Sequence, residues 1–90
     1  MRTTKLTLIN PLGMHARAAS KLVDVSKAFA SDITLDKDGK AVDGKSIMAL
    51  LMLGAAVDSE LTLTVNGEDE DAAFTAVCDL VNAGFHELEE

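Results

Sequence analysis

The sequence predicts an α+β fold of order βαββαβα: a mainly antiparallel four-stranded sheet with three helices on one of its faces. Three observations predict it. Each strand-like segment alternates apolar and polar residues, as in Lys5-Leu6-Thr7-Leu8 and Leu61-Thr62-Leu63-Thr64-Val65, so the sheet has one dry face and one wet face. The segments with helical spacing lie between strands or after the last one, and each carries an apolar stripe that must be covered by the dry face. Ninety residues form one domain, 1–90, whose single core hides roughly 60–65% of the chain's surface.

Each element has its own signal. The first strand lies at Lys5–Ile9 with Leu6 and Leu8 inward, and Asn10-Pro11 with Gly13 ends it. From Ala16 onward, Ala19, Leu22, Val23, Ser26 and Phe29 recur at helical spacing, with Lys21, Asp24 and Lys27 on the outer side. Ile33 and Leu35 mark the second strand. Asp38-Gly39 is a two-residue hairpin signal leading into a short third strand at Ala41-Val42, which Gly44 breaks.

Ser46 to Leu53 reads as a short helix, apolar on every side and closed by Gly54. Leu61, Leu63 and Val65 form the fourth strand, and Asn66-Gly67 turns the chain. The last helix opens at Asp69, Glu70 and Asp71, acids suited to the positive end of a helix dipole. Its apolar face runs through Ala73, Phe74, Val77, Leu80 and Val81 to Gly84 and Phe85. Its polar face ends at His86.

Composition narrows the function. Hydrophobic residues make up 48% of the chain and only three residues are aromatic, so the core is aliphatic. No apolar run reaches the ~18 residues of a membrane span. The start, MRTTKLTLI, lacks a signal peptide's apolar region, and the single cysteine, Cys78, cannot form an internal disulfide, so a cytoplasmic setting is expected.

The net charge of −7 disfavours nucleic acid as a partner. It is unevenly spread along the chain. All eight Lys and Arg precede Ser46, giving residues 1–45 a net +3 against five Asp, while ten acids give residues 46–90 a net −10. A basic face for an acidic partner could come from the first half. Asp36, Asp38 and Asp43 miss the spacing of a calcium loop, and nothing implies a metal or cofactor. Cys78 has no nearby cation to activate it and reads as a small core residue.

His15 stands out chemically. It follows a Gly-containing loop and immediately precedes a helix, where backbone N–H groups have no earlier carbonyl to bond. Oxygens of a phosphoryl group on the ring would face those amides, and Arg17 could add a guanidinium. An unperturbed imidazole is largely neutral near pH 7, leaving one ring nitrogen free to attack phosphorus.

Two segments carry a resemblance. Gly13-Met14-His15-Ala16-Arg17 resembles the active-site signature of the histidine-containing phosphocarrier (HPr) family of the bacterial phosphoenolpyruvate-dependent phosphotransferase system, and Gly44-Lys45-Ser46-Ile47-Met48 resembles its regulatory-serine segment. The likeness runs from Leu6 to about Phe85. It implies an open-faced sandwich with sheet order 1-4-2-3, which element order alone does not separate from 4-1-3-2.

The implied function is a covalent carrier that takes phosphate on Nδ1 of His15 from phosphorylated enzyme I, with Arg17 on the phosphoryl group, and passes it to enzyme IIA domains. Ser46 is implied as a regulatory site for a serine kinase. Ile47, Met48 and Leu51 are the implied docking contacts, with Arg17, Lys21 and Lys45 as a basic rim. The carrier is expected to be a monomer with no membrane insertion. Two alternatives stand beside it: a nitrogen-branch carrier and a docking-only regulatory module. The family pattern continues with proline after the arginine, where this chain has Ala18, so the joint between loop and helix loses a residue that pre-sets φ.

Overall fold

Strand pairing follows the alternation of side chains. In the computed structural model, which describes residues 1–89, β1 (Arg2–Thr7), β2 (Asp32–Lys37), β3 (Lys40–Asp43) and β4 (Glu60–Asn66) form one antiparallel sheet of order β1-β4-β2-β3. This is the 1-4-2-3 arrangement that the resemblance implied. Leu6 opposes Leu61, Leu35 lies between Leu63 and Val42, and Ile33 opposes Val65, so one face is a continuous aliphatic layer. Thr3, Thr64, Thr34 and Asp43 form a row on the other face, which stays open to water.

Helices α1 (Ala16–Ser26), α2 (Ile47–Leu51) and α3 (Glu70–Asn82) cover the dry face. Ala18, Ala19 and Leu22 from α1, Leu50 from α2, and Ala73, Val77, Leu80 and Val81 from α3 close the core with the strand leucines. Asp38 and Gly39 both adopt positive φ in the β2–β3 turn, as the hairpin signal requires.

The first strand and three helix ends differ from expectation: β1 spans Arg2–Thr7 where Lys5–Ile9 was expected, and α2 stops at Leu51, not Leu53. α1 stops at Ser26, and Phe29 reaches the core from the turn that follows. α3 stops at Asn82; Gly84, Phe85 and His86 then have φ of +64, +55 and +60° within a 3₁₀ segment, Gly84–Glu89. Gly84 is a left-handed helix terminator, and it removes His86 from the polar stripe of α3. Phe85 is still fully buried and belongs to the core cluster.

Charge is less polarised in space than in sequence. The sheet lays β1 beside β4 and against α3, so Lys5 pairs with Glu60 at 3.6 Å and Arg2 with Asp71 at 2.8 Å, its guanidinium 4.4 Å from the Phe74 ring centre. Asp69 was expected only to suit the dipole of the last helix. It instead accepts hydrogen bonds from the Ala30 N–H (2.8 Å), the Ser31 N–H (2.9 Å) and the Ser31 hydroxyl, tying the α1–β2 turn to the start of α3.

Candidate functional site

The loop before α1 is closed on itself. Asn10 accepts from the Gly13 N–H at 3.1 Å through its carbonyl and donates from Nδ2 to the Gly13 carbonyl at 2.7 Å. Gly13 has φ of +64°, and a Cβ there would lie 2.4 Å from the Ala55 carbonyl oxygen, so only glycine fits. The next residue, Met14, donates to that carbonyl at 2.9 Å and is buried. The loop is therefore clamped against the segment that follows α2.

His15 is the N-cap of α1, with extended backbone (φ −94°, ψ 178°), and its carbonyl accepts the first helical bond from Ala19 at 2.9 Å. Its ring makes no capping bond; Nε2 meets Glu87 Oε1 instead. Capping by the backbone alone leaves the amides of the first turn without helical partners, beside the ring. Arg17 is exposed in that turn. The arrangement offers a partly exposed imidazole at a helix N-terminus with Arg17 exposed in the same first turn, which is suited to holding phosphoryl oxygens.

Glu87 and Asn10 are residues of this site that sequence reasoning missed. Asn10 is fully buried and donates from Nδ2 to Glu87 Oε2 at 3.2 Å. Burial pushes the Glu87 carboxyl up, but the bonds from His15 and Asn10 together outweigh it and hold the group below the ordinary range. Gly84 was the available signal for Glu87: read as a helix stop, it frees the following residues to turn back toward the first loop.

The other expected residues divide between the two ends of α1. Lys21 donates to the Phe85 carbonyl at 2.6 Å, on the side of His15 and Glu87. Lys45 donates to the Phe29 carbonyl at 2.8 Å, just past the opposite end of α1. Ser46 caps α2, its Oγ accepting from the Ala49 N–H at 3.2 Å. Met48 is 70% exposed and Ile47 is exposed beside it, whereas Leu51 packs partly against the core. Cys78 is half-buried, and desolvation raises its thiol above the ordinary value, which suits a packing role. Among the described residues no acidic, histidine or cysteine cluster could hold a metal, and no helix is long and apolar enough to cross a membrane.

A one-sided four-stranded sandwich of order 1-4-2-3 with a histidine capping its first helix matches the class of small phosphocarrier proteins. Comparison with known proteins agrees. The family model described as the "PTS HPr component phosphorylation site" matches residues 2–83. The Phosphocarrier protein HPr of Pseudomonas aeruginosa is 42% identical over 90 residues, 99% of this chain and 100% of its own. The Phosphocarrier protein NPr of Shewanella violacea is 41% identical over 83 residues, covering 92% of this chain and 91% of its own.

Among solved structures, HPr-C-His from Thermoanaerobacter tengcongensis superposes with a TM-score of 0.93 at 36% identity, covering 97% of this chain and 98% of that one. An HPr dimer from the same organism matches with a TM-score of 0.76 at 35% identity, covering 94% and 98%. The chain belongs to the HPr family and serves as a phosphocarrier of the phosphotransferase system.

Proposed function

We propose that His15 accepts a phosphoryl group on Nδ1 from phosphorylated enzyme I and passes it to enzyme IIA domains in the cytoplasm. The observation that supports this reading is the His15 N-cap: the helix is capped by backbone, so the partly exposed ring stands at the helix N-terminus without being used as a cap. Arg17 supplies the cation for the phosphoryl oxygens. The protein acts as a covalent intermediate between enzymes and needs no small-molecule pocket of its own.

Incubation with phosphoenolpyruvate and active enzyme I should place one acid-labile phosphate on the chain. His15→Ala should abolish it, and Arg17→Ala should slow it while leaving the acceptor atom in place. Label that persists in His15→Ala defeats the reading. The NPr relative favours a second reading, a carrier feeding a nitrogen-branch enzyme IIA. Transfer rates to each candidate IIA separate the two.

Regulation at Ser46 is a further part of the proposal. Its hydroxyl already caps α2, and a phosphate there would add about −1.5 to −2 charges next to the exposed Ile47 and Met48. These two side chains, with Leu51 at the margin and Lys21 and Lys45 flanking α1, are the surface we assign to docking enzyme I. Ser46→Asp should fold as stably as the parent but accept phosphate more slowly. Unchanged transfer kinetics leave Ser46 as a cap only.

A further inference from the structure

The family match ends at residue 83, yet the site continues beyond it. Glu87 is brought to the ring by three consecutive left-handed residues, Gly84 to His86, and the preceding carbonyl of Phe85 is pinned by Lys21 at 2.6 Å. Asn10 donates both to Gly13 of the loop and to the Glu87 carboxylate, so one buried amide sets the loop and the acid in the same frame. The Glu87 side chain is only 12% exposed, and its other oxygen meets His15 Nε2.

An ionised carboxylate can only accept a hydrogen bond, so the ring proton it meets resides on Nε2 and the lone pair is left on Nδ1. We infer that Glu87 is a positioning residue for phosphoryl transfer: it fixes the Nε2–H tautomer of His15, blocks Nε2 as an acceptor and offsets the positive charge the ring gains when Nδ1 binds phosphorus. This rests on His15 being the acceptor. In the forward step the Nδ1 lone pair forms the N–P bond, while the bond from phosphorus to the donor breaks and its electron pair stays with the donor. The ring becomes a cation whose proton remains on Nε2, facing Glu87. On the way out a lone pair of the acceptor group on the enzyme IIA domain bonds phosphorus while the N–P bond breaks, its pair returns to Nδ1 and the ring is neutral again. Carboxylates that orient other histidines from outside the reacting centre act in the same manner.

Ring ¹⁵N spectra at neutral pH test it directly. The parent should show a protonated Nε2 and a bare Nδ1, and Glu87→Ala a mixture of both tautomers. Glu87→Gln keeps an acceptor oxygen and should keep the tautomer. With phosphoenolpyruvate and enzyme I, kcat for phosphorylation of Glu87→Ala should fall about tenfold, with Glu87→Gln in between and the KM for enzyme I unchanged. Melting temperatures of both variants show whether the fold is intact, and the isosteric glutamine variant keeps the comparison open if alanine destabilises the segment. An unchanged ring spectrum or an unchanged kcat in Glu87→Ala, in a parent that does take up phosphate, overturns this role alone. A parent that takes up none defeats the carrier reading instead.

Discussion

Asp69 and Glu87 were the least legible residues in the sequence, for a common physical reason. Both are acids whose partners lie far along the chain, Ser31 in one case and His15 in the other, and charge patterning describes only neighbours on the same element. His15 and Ser46 were legible as helix N-caps because capping is local. The Asp69 contact has a testable pH signature. The Ser31 hydroxyl and the Ala30 N–H hold its carboxyl below the ordinary value, against a smaller upward push from desolvation. A carboxyl with a depressed folded pKa stabilises the fold fully above its unfolded value, about 3.9, and that stabilisation drains away as pH falls through the lower folded value. Asp69→Asn should therefore melt below the parent at pH 7, and the gap should narrow in melts run from pH 4 down to 2. A gap that stays constant over that range means that the ionised carboxylate contributes nothing.

Among elements, β2 to β4 were read closely; β1 was expected at Lys5–Ile9 and lies at Arg2–Thr7, α2 was expected to reach Leu53 and ends at Leu51, and the ends of α1 and α3 were placed too late. Apolar spacing carried both helices past their ends because Phe29 and Phe85 do enter the core, but from turns. Periodicity reports which side chains are buried; it does not report whether the backbone delivering them is helical. The opposite faces of α2 give the sharpest element-level prediction. Leu50 is fully buried and Met48 is 70% exposed, two positions apart on a helix of five residues. Leu50→Ala removes core volume and should cost about 2–5 kcal/mol in chemical denaturation. Met48→Glu should stay within about 0.5 kcal/mol of the parent and yet weaken enzyme I binding, through lost apolar contact and an added negative charge. A large stability loss in Met48→Glu would make the residue part of the core, and normal binding by a stable variant would move the docking surface away from α2.

At the scale of the whole molecule the question is whether one copy is complete. The sheet has two edges, β1 and β3, and both bear features that discourage pairing with a second chain. β1 carries the exposed charges of Arg2 and Lys5, and β3 is four residues long with charged Lys40 and Asp43 at its ends. Exchanging β1 between copies would also require release of its continuation, because Leu8 donates to Ser59 at 3.0 Å and accepts from Asp58 at 2.7 Å, directly after the strand. All six residues of β1 already have partners in β4 of the same chain, so an exchange gains no pairing and places two chains of net charge −7 side by side. The radius of gyration, 11.6 Å, fits a self-contained domain of this length, for which about 12 Å is ordinary. Sedimentation velocity at micromolar concentration and pH 7 should accordingly return one species at the chain mass of 9.5 kDa. Association should grow only as pH approaches the isoelectric point near 4.6, where the charge term vanishes. A dominant species of twice the chain mass at pH 7 would show that this chain dimerises, and that edge charge and net repulsion together are too weak to prevent it.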